Sequence, residues 1–224
     1  LNAKLYLFEK LLKKKTNIIT DIEIPEYKKI KKISLRRRLN LNTISNNKSN
    51  LSIISHRYLG DKQLIKIKYK NNYYNFTLNL IGKIQIKNIL MSIIAAEKSN
   101  LNFKKIITVI NKIKPVNGRL EKIGKIKNKS SVILDYAHTP GALETCLLNL
   151  KDQFKNKKIS IVFGCGGERD KLKRPKMGKI VNNYCNKVYL TDDNPRKEDP
   201  KKIRLDIRRK INKSKLYEIP NREK

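Results

Sequence analysis

The chain has 224 residues, 39% of them hydrophobic, which is enough for one large or two small packed domains and excludes a disordered polypeptide. Lys and Arg number 53 against 19 acidic residues, but they are spread among Ile and Asn in runs such as "KKIKKI" and "ITVINKIK" rather than gathered with aromatics, so the charge reads as compositional drift and no specific nucleic-acid partner is expected. No apolar run reaches membrane-span length, and Cys146, Cys165, Cys185, His56 and His138 form no zinc spacing, so a cytoplasmic protein with reduced thiols and no membrane insertion is expected.

In chain order, "AKLYLFEKLLKKK" sets Leu5, Phe8, Leu11 and Leu12 at helical spacing, and "TNIIT" is a short β-branched run. "LIKIKYKNNYYNFTLNLI" predicts a hairpin turning at Asn71-Asn72. "IQIKNILMSIIAAEK" puts Ile86, Ile89, Leu90, Ile93 and Ile94 on one helical face, a core stripe. Pro115 disfavours helix at Lys114 and Gly118 loosens the chain, so a boundary is set there, with domains at 1–115 and 116–224.

The second half alternates. Strands "SVIL", "ISIVF", "KVYL" and "KLYEI" are separated by helices from Pro140, about Pro175 and Pro200, which argues a parallel α/β sheet with helices on both faces. Thr139-Pro140 and Asp199-Pro200 are helix starts: a capping side chain, then a Pro whose missing N–H is no loss at the first helical position.

Ligands bind an open parallel sheet beyond the carboxyl ends of its strands. Three unusual clusters fall there: "DYAHTP", "GCGGERDK" and "TDDNPR". Asp135 and His138 could contact a ribose or phosphate, or merely cap a turn. Gly164, Gly166 and Gly167 would let a backbone approach a ligand, although "GCGG" is no dinucleotide fingerprint. Taken jointly, Arg169 and Arg196 with Asp193 and Asn194 offer guanidinium forks for a carboxylate, and carboxylate and amide oxygens for an ammonium. That is what a zwitterionic amino acid requires.

The long segments "SSVILDYAHTPGALE", "IVFGCGGERDKLKRPKMGKI" and "VYLTDDNPRKEDPKKI", in this order and spacing, resemble the carboxyl-terminal domain of the Mur ligases, in particular the one adding the third residue of the UDP-N-acetylmuramoyl peptide. Upstream, "NGRLEKI" and "LIGKIQIKNILMSIIAA" are similar to the family's linking segment and to its Asn-bearing helix, with Gln85 where the first Asn is usual. "NAKLYLF" is similar to the segment whose lysine is carbamylated. The implied fold is the end of the central domain followed by a Rossmann-like carboxyl-terminal domain with a mostly parallel sheet, truncated at both ends. No phosphate-loop motif G-x-x-x-x-G-K-[ST] and no "GKGHE"-like stretch is present, so a fragment, inactive by itself, is expected.

The resemblance implies ATP-dependent amide formation: a carboxylate of the UDP-MurNAc-dipeptide is phosphorylated, the incoming amine attacks the acyl phosphate, and phosphate leaves. Lys4, carbamylated, would help hold Mg²⁺ as a carboxylate-like oxygen ligand. Asn88, Arg119, Asp135 and His138 would face the nucleotide, and Arg169, Asp193, Asn194, Pro195 and Arg196 would bind the added amino acid. "DNPR" is the variant associated with meso-diaminopimelate, whose distal carboxylate suits Arg196; lysine would leave that guanidinium unpaired. A monomer is expected. The rival readings are another Mur or folylpolyglutamate-type ligase and a degenerate basic polyanion-binding protein.

Overall fold

The computed structural model describes residues 5–46, 48–126 and 130–222. It divides into two compact units, Leu1–Val116 and Asn117–Lys224.

In the first unit a five-stranded sheet runs β1 (Asn17–Asp21), β2 (Asn40–Ser45), β3 (Leu51–Leu59), β4 (Lys62–Tyr69) and β5 (Asn72–Leu78), in spatial as in chain order. β1, β2 and β3 pair parallel; β3, β4 and β5 form an antiparallel meander. Helix α1 (Tyr27–Arg37) lies between β1 and β2 in the chain, while α2 (Lys83–Lys98) and α3 (Phe103–Val109) follow β5. Along β4 the buried residues alternate, Gln63, Ile65, Ile67 and Tyr69, as a pleated strand with one covered face requires. They share a core with Ile86, Ile89, Leu90, Ile93 and Ile94, so the helical stripe read from the sequence is the core face of α2.

Two local expectations shift. The β4–β5 hairpin turns one residue earlier, at Lys70 and Asn71, because a two-residue turn needs positive φ at both positions (45° and 64°) and Tyr69 pairs with Asn72. In the amino-terminal segment Leu7–Leu11 is a π-helical turn closed by Leu12 N–H to the Leu7 carbonyl at 3.3 Å. The wider turn leaves Leu11 63% exposed, while Leu5, Phe8 and Leu12 pack on Ile18, Ile30 and Leu39.

In the second unit β8 (Ser160–Phe163), β9 (Lys187–Leu190) and β10 (Leu216–Glu218) form a parallel sheet in the order β10-β9-β8. β7 (Ser131–Leu134), expected in this sheet, instead pairs antiparallel with β6 (Glu121–Lys125), its neighbour in the chain. Helices α4 (Pro140–Gln153), α5 (Lys173–Tyr184) and α6 (Pro200–Arg208) contribute Leu143, Leu147, Met177, Val181, Ile203 and Ile207 to one core over Val188 and Leu190. Among the described residues the helices therefore cover one sheet face and not two; the other carries Val162, 63% exposed, and the stacked rings of Tyr189 and Tyr217. Both expected caps are made: the Thr139 hydroxyl accepts from Ala142 N–H and the Asp199 carboxylate from Lys201 N–H.

Candidate functional site

Beyond the carboxyl ends of β8 and β9 lie the loops 164–172 and 191–199, which carry Arg169 and the Asp193–Arg196 run. The glycines of the first loop serve the second. A Cβ on Gly167 would stand 1.8 Å from the Pro195 carbonyl oxygen, and one on Gly164 would stand 2.4 Å from that of Thr191. The close approach read from the sequence as room for a ligand is thus an approach of two backbones of this chain. Gly167 N–H donates to the Asn194 carbonyl at 2.9 Å, and Arg196 Nη1 donates back to the Gly167 carbonyl at 2.5 Å.

Arg196 has φ +51° and lies exposed; its remaining guanidinium N–H groups have no partner among the described residues. Arg169 is exposed and makes no hydrogen bond or ion pair among them. Asn194 Oδ1 accepts the Arg196 amide at 3.1 Å, and Asp193 accepts the Asn194 amide at 2.8 Å with Arg222 at 4.0 Å. Pro195 accepts at its carbonyl from Glu198 N–H. The loop is self-folded, and both arginines keep donors for an incoming carboxylate.

Sequence reasoning missed what lies beneath. Arg174, at the first turn of α5 and 1% exposed, donates through Nη2 to both carboxylate oxygens of Glu198 at 3.0 Å and through Nη1 to Asp206 at 3.2 Å. Glu198 also accepts the Glu168 amide at 2.5 Å. The Arg174 guanidinium and that amide hold the Glu198 carboxyl down to about 2. Asp192, the first carboxylate of "TDDNPR", is engaged by Arg204, which also binds Glu218 at 2.8 Å. One signal was available: in a chain with 53 basic and 19 acidic side chains, the scarce carboxylates gathered after β9 mark where charge is paired.

The residues expected to face a nucleotide fall in both units. Asn88 is exposed on α2 in the first, 3.4 Å from Gln85 Oε1. In the second, Asp135 directs both carboxylate oxygens at backbone, accepting from Leu120 and Ala137 N–H at 2.9 Å, and so fixes the turn after β7. Arg119 lies over the Tyr136 ring at 4.9 Å, and the exposed His138 meets the same ring edge-on at 5.1 Å. Lys173 Nζ donates to the His138 carbonyl at 3.0 Å, joining this turn to the first turn of α5. Lys4 lies outside the described residues. Burial pushes the Cys146 and Cys185 thiols up to about 12 and about 11, which removes them as nucleophiles. No helix of the described residues is long and apolar enough to cross a membrane.

Residues 118–224 match the family model described as Mur ligase, glutamate ligase domain. The chain is 37% identical over 222 residues to the UDP-N-acetylmuramoyl-L-alanyl-D-glutamate--2,6-diaminopimelate ligase of Rickettsia bellii (strain RML369-C), covering 99% of this chain and 46% of that protein. A solved structure of a ligase of the same name superposes with a TM-score of 0.64 at 28% identity, over 99% of this chain and 46% of the other. Mycobacterium tuberculosis folylpolyglutamate synthase complexed with ADP, at 16% identity and a TM-score of 0.73 over 92% of this chain and 45% of its own, shares the fold. The chain thus spans less than half the length of the relatives it matches. Residues 118–224 thus carry the Mur ligase domain, and the alignment with the Rickettsia bellii ligase runs on through the rest of the chain.

Proposed function

We propose that this chain is part of a cytoplasmic, ATP- and Mg²⁺-dependent ligase that joins meso-diaminopimelate to UDP-N-acetylmuramoyl-L-alanyl-D-glutamate in peptidoglycan synthesis. Residues 1–115 would belong to its central domain and 116–224 to its carboxyl-terminal domain. The observation that carries the reading is the pair of exposed guanidinium groups on two interlocked loops beside Asp193 and Asn194: Arg169 has no partner among the described residues, and Arg196 spends one N–H on the Gly167 carbonyl and keeps the others free. An amino acid with a carboxylate and an ammonium at its distal end matches those donors and acceptors, and the relatives of 37% identity and above are named for that amino acid. A lysine would leave a guanidinium without its anion.

For the nucleotide, Arg119 stacked on Tyr136 beside His138 offers a cationic and aromatic surface of the kind a base and its phosphates use, with Asn88 assigned by resemblance. ATP would supply the phosphoryl group that activates the dipeptide carboxylate. Among the described residues no cluster of acids and histidines suits a metal, and Lys4, the assigned Mg²⁺ contributor, lies outside them.

Calorimetric titration of the chain with meso-diaminopimelate and with L-lysine tests the reading. The first is expected to bind and the second to bind far more weakly. Arg196→Lys should cost about 1.5 to 3 kcal/mol for meso-diaminopimelate, the order of a charge-assisted fork reduced to a point charge. Equal binding of the two amino acids, or no effect of the substitution, would sink it.

A further inference from the structure

We infer that Glu198, held by the buried Arg174, is a positioning residue that locks the loop carrying Arg169 to the loop carrying Arg196, and so sets the choice of amino acid. This rests on the proposed function above. Glu168, directly before Arg169, and Arg196 itself both have φ +51°, a left-handed conformation that non-glycine residues adopt at a cost and keep only where neighbours hold them. Glu198 supplies that hold on both sides. Its carboxylate takes the Glu168 amide at 2.5 Å, and its own amide donates to the Pro195 carbonyl at 3.0 Å. Arg174 fixes the carboxylate from below with two contacts at 3.0 Å and is anchored in turn to Asp206 of α6. Lys171 approaches the same carboxylate at 3.6 Å. The pair ties together two helices and two loops, so each arginine inherits its direction from one shared anion.

The test compares wild type, Glu198→Gln and Glu198→Ala, with Glu144→Gln as the control for general destabilisation, since Glu144 pairs with Tyr184 away from both loops. Two quantities are read: binding of meso-diaminopimelate and L-lysine, and hydrogen exchange of segments 164–171 and 191–198. Glu198→Gln is expected to weaken meso-diaminopimelate roughly tenfold, the order of one lost charge-assisted hydrogen bond. It should also narrow the preference over lysine and raise exchange in both segments, while Glu144→Gln does none of these. Glu198→Gln that binds as wild type overturns the positioning role and leaves the proposed function standing. If wild type itself does not bind, the proposed function fails, and exchange decides the lock alone: protection retained in Glu198→Gln and Glu198→Ala overturns it. If Glu198→Ala fails to fold, the Gln variant carries the test.

Discussion

The first unit buries Ile, Leu and aromatic side chains between its sheet and α2, and several of its ion pairs sit at the surface, such as Arg36 with Glu9 and Lys70 with Glu97. The second unit has a smaller apolar core and sends two arginines, Arg174 and Arg204, beneath its loops to meet Glu198, Asp206, Asp192 and Glu218. Lys87 with Asp21 and Glu23 is the first unit's nearest counterpart, but Lys87 is 23% exposed and serves a single network between α2 and β1. The difference separates two uses of charge. Where basic residues have accumulated over tolerant surface they determine little of the fold; where a carboxylate meets a buried guanidinium, they set the shape of loops that carry unpaired donors.

Substitutions can break this contrast, the largest effect lying in the apolar unit. Leu90 is fully buried on α2 among the β-sheet residues, so Leu90→Ala should cost about 3 to 4 kcal/mol in urea unfolding through lost transfer and an unfilled cavity. In the second unit Arg174→Met keeps volume and removes the cation. It should cost about 2 kcal/mol, less than a deeply buried pair, because Glu198 and Asp206 remain 17% and 31% exposed and recover some water. Arg36→Met, whose partner Glu9 shares a surface pair with 64% and 39% exposure, should stay within about 0.5 kcal/mol. Similar losses for Arg174 and Arg36 would erase the distinction between the two kinds of pair.

How much of this the sequence disclosed depended on the range of the interactions involved. The α2 stripe, the strands 131–134 and 187–190 and both capped helix starts rest on neighbours within one or two turns, and the structure contains them. Helix α1 and strands β2 and β3 went unread because Lys, Asn and Ser dilute their apolar period, and their burial is decided by partners far along the chain. The pairing of β7 was misplaced for the same reason: "EKIGK" shows little strand character until it lies against "SVIL". Within the site, Arg169 and Arg196 stood out by type, whereas Arg174 and Glu198, lying 24 residues apart, were hidden in "KLKRPK" and "RKEDP", where they look like solvated charges. Only the fold brings them together.

Acid sharpens the contrast further. Glu198 titrates at about 2 in the folded protein, held there first by Arg174 and then by the Glu168 amide, against an ordinary value of 4.5. A carboxyl whose folded value is depressed takes up its proton in the unfolded chain first. Its stabilisation is therefore complete above about 4.5 and is lost as pH falls through that range toward about 2. Glu23 and Glu97 of the first unit are also lowered, chiefly by hydrogen bonds from Lys87 and Lys70, so wild type should weaken in acid for reasons outside the site as well. Glu198→Gln isolates the one residue. Urea midpoints of wild type and variant, taken at about pH 6, 4 and 2.5, should differ most at the highest pH and converge at the lowest, as the wild-type carboxyl becomes as neutral as the amide. A gap that stays constant across that range would mean that the Glu198 charge contributes nothing, and that the loops beside it are held by Gly167, Pro195 and Asn194 alone.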